Sequence, residues 1–321
     1  MNKLKLKNGV IKKEKRTITW LEFSKDNQYL AALTENKQLI VFNTEFEVVN
    51  NITLARVASK VCFSPKNDII VADRTGDVFL YKLHQKTEPT FLLGHLSMIL
   101  DLLVTECGNY IITCDRDEKI RVSHYPNAYN IQTFCLGHEE FVTSLKLLKN
   151  SEVLLSASGD GTVRMWNYKQ GKQLNIIDTG SLVDEEYLQR FAKEMDLVEN
   201  ITKLPIVDMQ LNENVLALFL HSVPKLFLYT IDSITFNFLG SIDVNTTQFS
   251  YSLCNSLYIL SKSKFDIYCP NKFNKVSGKQ IEDTVLDLVV IDNNDITILY
   301  KRKFDNVQEY MERKKRRLEA K

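Results

Sequence analysis

The 321-residue sequence contains no apolar run near the roughly 18 residues that a membrane-spanning helix requires, and none of it reads as a transmembrane segment. Its opening stretch, MNKLKLKNGVIKKEKR, is basic but lacks the apolar core of a signal peptide. An intracellular protein is expected. The six cysteines (Cys62, Cys107, Cys114, Cys135, Cys254 and Cys269) include no Cys-x-x-Cys pair, which argues against a disulfide framework and against a zinc site. Reduced, mostly buried thiols are expected. No segment carries the Gly-x-x-x-x-Gly-Lys-Ser/Thr frame of a phosphate loop, and GDGT at 159–162 reads as a β-turn. DNND at 292–295 opens like a calcium loop but has Thr297 where such a loop needs glycine and Lys303 where it needs glutamate. His84, His124 and His221 have no acid or nucleophile at a spacing that suggests a triad. Nothing in the chain favours catalysis, and neither a metal nor a cofactor is expected.

What is present is a chain of 44% hydrophobic and 25% charged residues, long enough to bury a sizeable core. The net charge of +1 hides an uneven distribution, since residues 1–16 carry +6 and residues 311–321 carry +4, which leaves −9 for the body. An acidic body has two basic ends.

The body repeats. Four segments align, LAALTENKQLIVFN, IIVADRTGDVFLYK, IITCDRDEKIRVSH and LLSASGDGTVRMWN, each an apolar strand, a polar turn and an alternating strand. The position that closes each second strand is Phe42, Tyr81, Ser123 and Trp166, at spacings of 39, 42 and 43 residues. A period of this size built from short strands predicts the blades of a β-propeller. Two fainter units end at Tyr229 and Tyr268, and the 63 residues from Trp166 to Tyr229 exceed one period. The excess falls in SLVDEEYLQRFAKEMDLVEN, whose Leu188, Phe191, Met195 and Val198 have helical spacing, so a helical insertion is expected within about 178–204. The strand-like pattern of 284–303 is expected to pair with N-terminal strands and close a seven-bladed ring over residues 1–303. Residues 304–321 are expected to form a basic C-terminal helix.

The fourth repeat contains Gly137-His138, Ser156, Asp160 and Trp166, the residue types of the WD-repeat hydrogen-bonded tetrad. In such a tetrad the polar side chains satisfy one another inside a blade that could not bury them unpaired. The third repeat has His95, Thr113 and Asp117, with Ser123 in place of tryptophan. All seven residues are read as structural rather than catalytic or metal-binding.

Several segments are less generic. LLGHLSMILDLLV, DRDEKIRVSHYP, CLGHEEFVTSL, LLSASGDGTVRMWNYKQGKQL and the C-terminal FDNVQEYMERKKRRLE resemble the WD-repeat, non-catalytic subunit of the eukaryotic tRNA (guanine-N7)-methyltransferase. That resemblance implies a scaffold for a separate S-adenosylmethionine-dependent catalytic subunit, which methylates a variable-loop guanosine of tRNA. It also implies a nuclear location, extending to the cytoplasm. A heterodimer with the catalytic subunit is expected, with tRNA bound through the complex.

The segment Asp115–Arg121 crowds six charges of balanced sign into seven positions. The resemblance makes Arg116, Glu118, Lys119 and Arg121 partner-binding residues, with Arg121 at a solvated rim, and Arg164 is their counterpart in the fourth repeat. Arg313, Lys314, Lys315, Arg316 and Arg317 are the candidates for contact with tRNA phosphates. A different reading, a propeller adaptor for another complex such as a ubiquitin ligase, accounts for the repeats but not for the basic ends.

Overall fold

The computed structural model describes residues 17–85, 88–196, 201–244, 248–251, 256–261, 264–269, 274–280 and 296–300. Among these, 24 strands form six four-stranded antiparallel sheets, at 18–53, 58–94, 99–135, 142–178, 206–243 and 248–280. In each sheet the strands follow chain order, so every connection within a blade is a hairpin. The first strands of consecutive blades pack side by side, which makes them the inner strands of a propeller.

The repeat read from the sequence is also a repeat of register. Phe42, Tyr81, Ser123, Trp166, Tyr229 and Tyr268 pair with Leu30, Ile69, Ile111, Leu154, Leu216 and Leu257, the opening or near-opening residue of the preceding strand in every blade. The hairpins between these strands share a chemistry as well. Thr34, Asp73, Asp115 and Ser158 each begin the turn and accept a backbone N–H from a later turn residue. Four positions into the turn the chain is left-handed, at Lys37 (φ 59°), Gly76 (φ 101°), Glu118 (φ 63°) and Gly161 (φ 72°). Glycine accepts that conformation freely, whereas lysine and glutamate adopt it at a cost of about 1 kcal/mol.

Six sheets stand where seven are expected, and the closing blade is not among the described residues. Within 284–303, Ile296–Leu299 form a 3-10 helix instead of a strand, with Tyr300 N–H donating to the Thr297 carbonyl. The alternation of Ile-Thr-Ile-Leu spans too few residues to separate a strand from a helical turn. Residues 1–16 and the expected C-terminal helix, with Arg313, Lys314, Lys315, Arg316 and Arg317, lie outside the described residues.

The long interval before the fifth blade holds a 3-10 turn at Gly180–Leu182 and helix α1 at Glu185–Glu194. Phe191 is buried, and Leu188 and Met195 pack beside it on the apolar layer shared by blades 4 and 5. Val198 lies outside the described residues.

Each of the first five inner strands places one residue at a common level, namely Trp20, Lys60, Asp101, Ser144 and Asp208. Lys60 Nζ lies 3.0 Å from the centroid of the Trp20 ring and 3.8 Å from Asp101 Oδ1. Asp101 Oδ2 accepts Leu145 N–H from the next blade at 2.8 Å. Burial pushes the Lys60 ammonium down and the Asp208 carboxyl up. These groups therefore tie neighbouring blades together while remaining partly desolvated.

Candidate partner-docking site

Among the described residues, those singled out in the sequence lie in blades 3 and 4 and the connections before them, and blade 4 shows how such a turn is made rigid. His138 Nδ1 is 2.9 Å from Asp160 Oδ2, His138 Nε2 is 2.7 Å from Ser156 Oγ, and Trp166 Nε1 donates to Ser156 Oγ at 2.8 Å. One proton arrangement satisfies all three contacts. Trp166 donates to Ser156, Ser156 donates to Nε2, and a neutral imidazole donates its Nδ1–H to ionised Asp160. Asp160 also accepts the Thr162 hydroxyl and the amides of Thr162 and Glu139. Trp166 is 1% exposed and His138 is 7% exposed.

The protonation states follow from these partners. Burial holds the His138 imidazole below its ordinary value despite the attraction of Asp160. Burial alone would raise Asp160, but the His138 bond and the turn donors outweigh it and hold the carboxyl at about 2. Both folded values lie below the unfolded ones, so both groups stabilise the fold above their unfolded pKa and lose that contribution as pH falls. The His138 contribution should decline first, from pH 6.5 downward, and that of Asp160 between 3.8 and about 2. Melting temperatures measured from pH 7.5 to 5 should fall more steeply for the native chain than for His138→Gln. Parallel curves would remove His138 as the titrating group.

Blade 3 has the same plan with a different acid. His95 Nε2 is 2.8 Å from Thr113 Oγ1, but His95 Nδ1 meets Asp115 Oδ2 at 2.7 Å rather than Asp117. The spacing from Thr113 to Asp117 equals that from Ser156 to Asp160, which favours Asp117 on sequence. Asp115, however, stands where blade 4 has Ser158, and its longer side chain serves two purposes. Its Oδ1 accepts the turn amides of Asp117 and Lys119 at 2.9 and 3.1 Å while Oδ2 holds the histidine. Blade 2 carries the sequence clue, because Asp73 in VADRTGD caps its turn as Asp115 does in TCDRDEK. Ser123, at the tryptophan position, is fully buried and its hydroxyl has no partner among the described residues.

With the turn fixed by Asp115 and His95, the charged side chains around it differ in their freedom. Lys119 is exposed, and Arg116, Glu118 and Arg121 are half-buried. Arg116 Nε donates to the Leu299 carbonyl at 3.0 Å, and its backbone N–H donates to Met98 in the neighbouring blade connection. Leu96, two residues before Met98, is 101% exposed. Arg121 is not the rim residue expected. Its Nη1 donates to the Gly94 carbonyl at 3.0 Å, its Nε is buried without a partner among the described residues, and burial lowers its pKa against the pull of Asp115. It is half-buried because it pairs with fully buried Thr113 and shares that residue's face of the sheet. Arg164 donates to Gln173 Oε1 at 2.7 Å, and its guanidinium lies over Gly137.

Comparisons with known proteins agree with this architecture. The model of the family described as "tRNA methyltransferase TRM82 WD40 domain" matches residues 2–90 and 82–260. The "tRNA (guanine-N(7)-)-methyltransferase non-catalytic subunit wdr4" of Xenopus laevis is 34% identical, over 93% of this chain and 79% of its own length. The "tRNA (guanine-N(7)-)-methyltransferase non-catalytic subunit wuho" of Drosophila pseudoobscura pseudoobscura is 30% identical, over 98% of this chain and 81% of its own. A chain of the solved structure described as "Crystal Structure of Mitotic Checkpoint Complex" matches with a TM-score of 0.64 at 12% identity, covering 78% of this chain and 75% of that one, a likeness of fold alone. Six WD-type blades, the tetrad of blade 4 and relatives that align along nearly the whole chain lead to one conclusion, that this protein belongs to the family of WD-repeat, non-catalytic subunits of the tRNA (guanine-N7)-methyltransferase.

Proposed function

We propose that this chain is the scaffold that binds the catalytic subunit of the tRNA (guanine-N7)-methyltransferase and favours its active conformation. The partner holds S-adenosylmethionine and methylates a variable-loop guanosine. A scaffold that binds only the active form raises the population of that form by its differential affinity. The observation that carries this reading is the blade 3 turn, where exposed Lys119 and half-buried Arg116 stand on backbone fixed by Asp115 and His95, and fully exposed Leu96 follows that histidine in the chain. Exposed ion pairs contribute little to folding, whereas charges held rigidly around an apolar contact set register and select a partner of inverse pattern. Glu118 in the same turn, Arg121 bonded to the Gly94 carbonyl and Arg164 bonded to Gln173 are assigned to this docking face. Arg313, Lys314, Lys315, Arg316 and Arg317 supply phosphate contacts to tRNA, and the complex works in the nucleus.

Co-expression of the full chain with the catalytic subunit, followed by affinity capture and a tRNA methylation assay, tests the proposal. Lys119→Glu should leave the melting temperature unchanged and weaken capture by about tenfold or more, through repulsion of a partner carboxylate. Lys172→Glu, at the exposed start of the outer strand of blade 4, should change neither. Capture of Lys119→Glu at the native level would remove this turn as the docking surface, and failure of the native pair to associate would remove the scaffold role itself.

A further inference from the structure

The 3-10 helix Ile296–Leu299 and Tyr300 lie far from blades 3 and 4 in the chain but directly against their turns. Ile296 is 4% exposed. The Tyr300 ring packs edge-on against Phe141 at a centroid distance of 4.9 Å and against Phe191 of α1 at 5.9 Å. Its hydroxyl donates to the carbonyl of Gly159, in the blade 4 turn, at 2.9 Å. One residue earlier, the Leu299 carbonyl accepts Nε of Arg116 from the blade 3 turn at 3.0 Å. Five residues thus span two blades and the inserted helix.

The two ends of this bridge differ in kind. Tyr300 is an anchor, because two ring contacts and a hydrogen bond to backbone hold it in one place. Arg116 is what the anchor holds. A free arginine on a surface turn samples many rotamers and loses that freedom on binding, which weakens association. Here the Nε bond to Leu299 orients the guanidinium beforehand, and its two terminal nitrogens have no hydrogen-bond partner among the described residues. A planar fork restrained in this way matches a carboxylate through two parallel bonds. Ile298, between the anchor and Leu299, is 68% exposed, and Leu96 is exposed beside the same turn.

We propose that Ile296–Tyr300 is a brace belonging to the docking surface, in which Tyr300 is a positioning residue that orients Arg116 towards a carboxylate of the catalytic subunit while Ile298 makes an apolar contact next to it. Arg116 and Lys119 demand an acidic face on the partner, and exposed Ile298 and Leu96 require that face to have an apolar centre. The inference rests on the scaffold reading and extends the docking surface to a segment almost 200 residues downstream of the blade 3 turn.

A double-mutant cycle on the full chain, read as affinity for the purified catalytic subunit, tests the brace. Arg116→Ala and Tyr300→Ala should each weaken binding by about tenfold, and the double variant should be little weaker than either, because the tyrosine acts through the arginine. Tyr300→Phe, which keeps both ring contacts, should fall between native and Tyr300→Ala. Ile298→Glu changes a residue exposed to solvent, so it should melt like the native chain and still lose about tenfold in affinity. Native affinity in Tyr300→Ala or in Ile298→Glu would overturn the brace, as would losses that multiply to about a hundredfold in the double variant. A native pair that fails to bind at all would instead overturn the scaffold reading, and the docking role of the brace with it.

Discussion

Replacing Asp160 by alanine should lower the unfolding free energy by about 3 kcal/mol, the expected cost of stranding a buried donor network. The change leaves the His138 Nδ1–H, the Thr162 hydroxyl and the amides of Thr162 and Glu139 without their common acceptor, in a site where His138 and Thr162 are almost wholly removed from water. Chemical unfolding of the purified chain measures the loss. The same experiment separates the two candidate acids of blade 3. Asp115→Ala should cost a comparable amount, because Asp115 accepts from His95 and from two turn amides. Asp117→Ala should cost much less, since Asp117 is only half-buried and is not the partner of His95. Equal losses at the two positions would mean that Asp117 anchors the blade after all.

Arg121→Glu should destabilise the fold itself by about 3 kcal/mol, in addition to any effect on a partner. The substitution removes the donor to the Gly94 carbonyl and places a carboxylate near that carbonyl and near Asp115. Circular dichroism melting of the isolated chain should show the loss before any partner is added, and Lys119→Glu should melt within about 0.5 kcal/mol of native because its side chain is solvated. Were Arg121→Glu to melt normally and fail only in capture, Arg121 would be a rim residue and its inward packing of no energetic consequence. The contrast between the two variants is what separates a docking charge from a structural one within a single seven-residue segment.

The blade pattern was legible in the sequence because a hairpin is local. Alternating apolar residues, a turn of two to four and a closing aromatic specify each pair of strands, and the register found at Phe42, Tyr81, Trp166, Tyr229 and Tyr268 repeats that pattern. The tetrad of blade 4 could be read for the same reason, since Ser156, Asp160 and Trp166 sit on one hairpin and only His138 comes from the connection before it. Helix α1 could be read from the spacing of Leu188, Phe191 and Met195.

Tertiary structure decided matters that depend on reach and on distant neighbours. Spacing pointed to Asp117, but a carboxylate at Asp115 is long enough to cap the turn and hold His95 at once, and side-chain length does not appear in a count of residues. Arg121 shares the face of buried Thr113, where the Gly94 carbonyl of the adjacent blade receives it. Ile296–Leu299 alternates like a strand yet forms a 3-10 turn, because Tyr300 is held by Phe141, Phe191 and Gly159, partners more than 100 residues away. The repeated blades and the chemistry of their turns follow from chain order alone, because they are written in neighbouring residues. Only the packed structure decided which acid serves the blade 3 histidine, which arginine faces outward and what braces it, since each of those outcomes is set by contacts between segments that the chain order keeps apart.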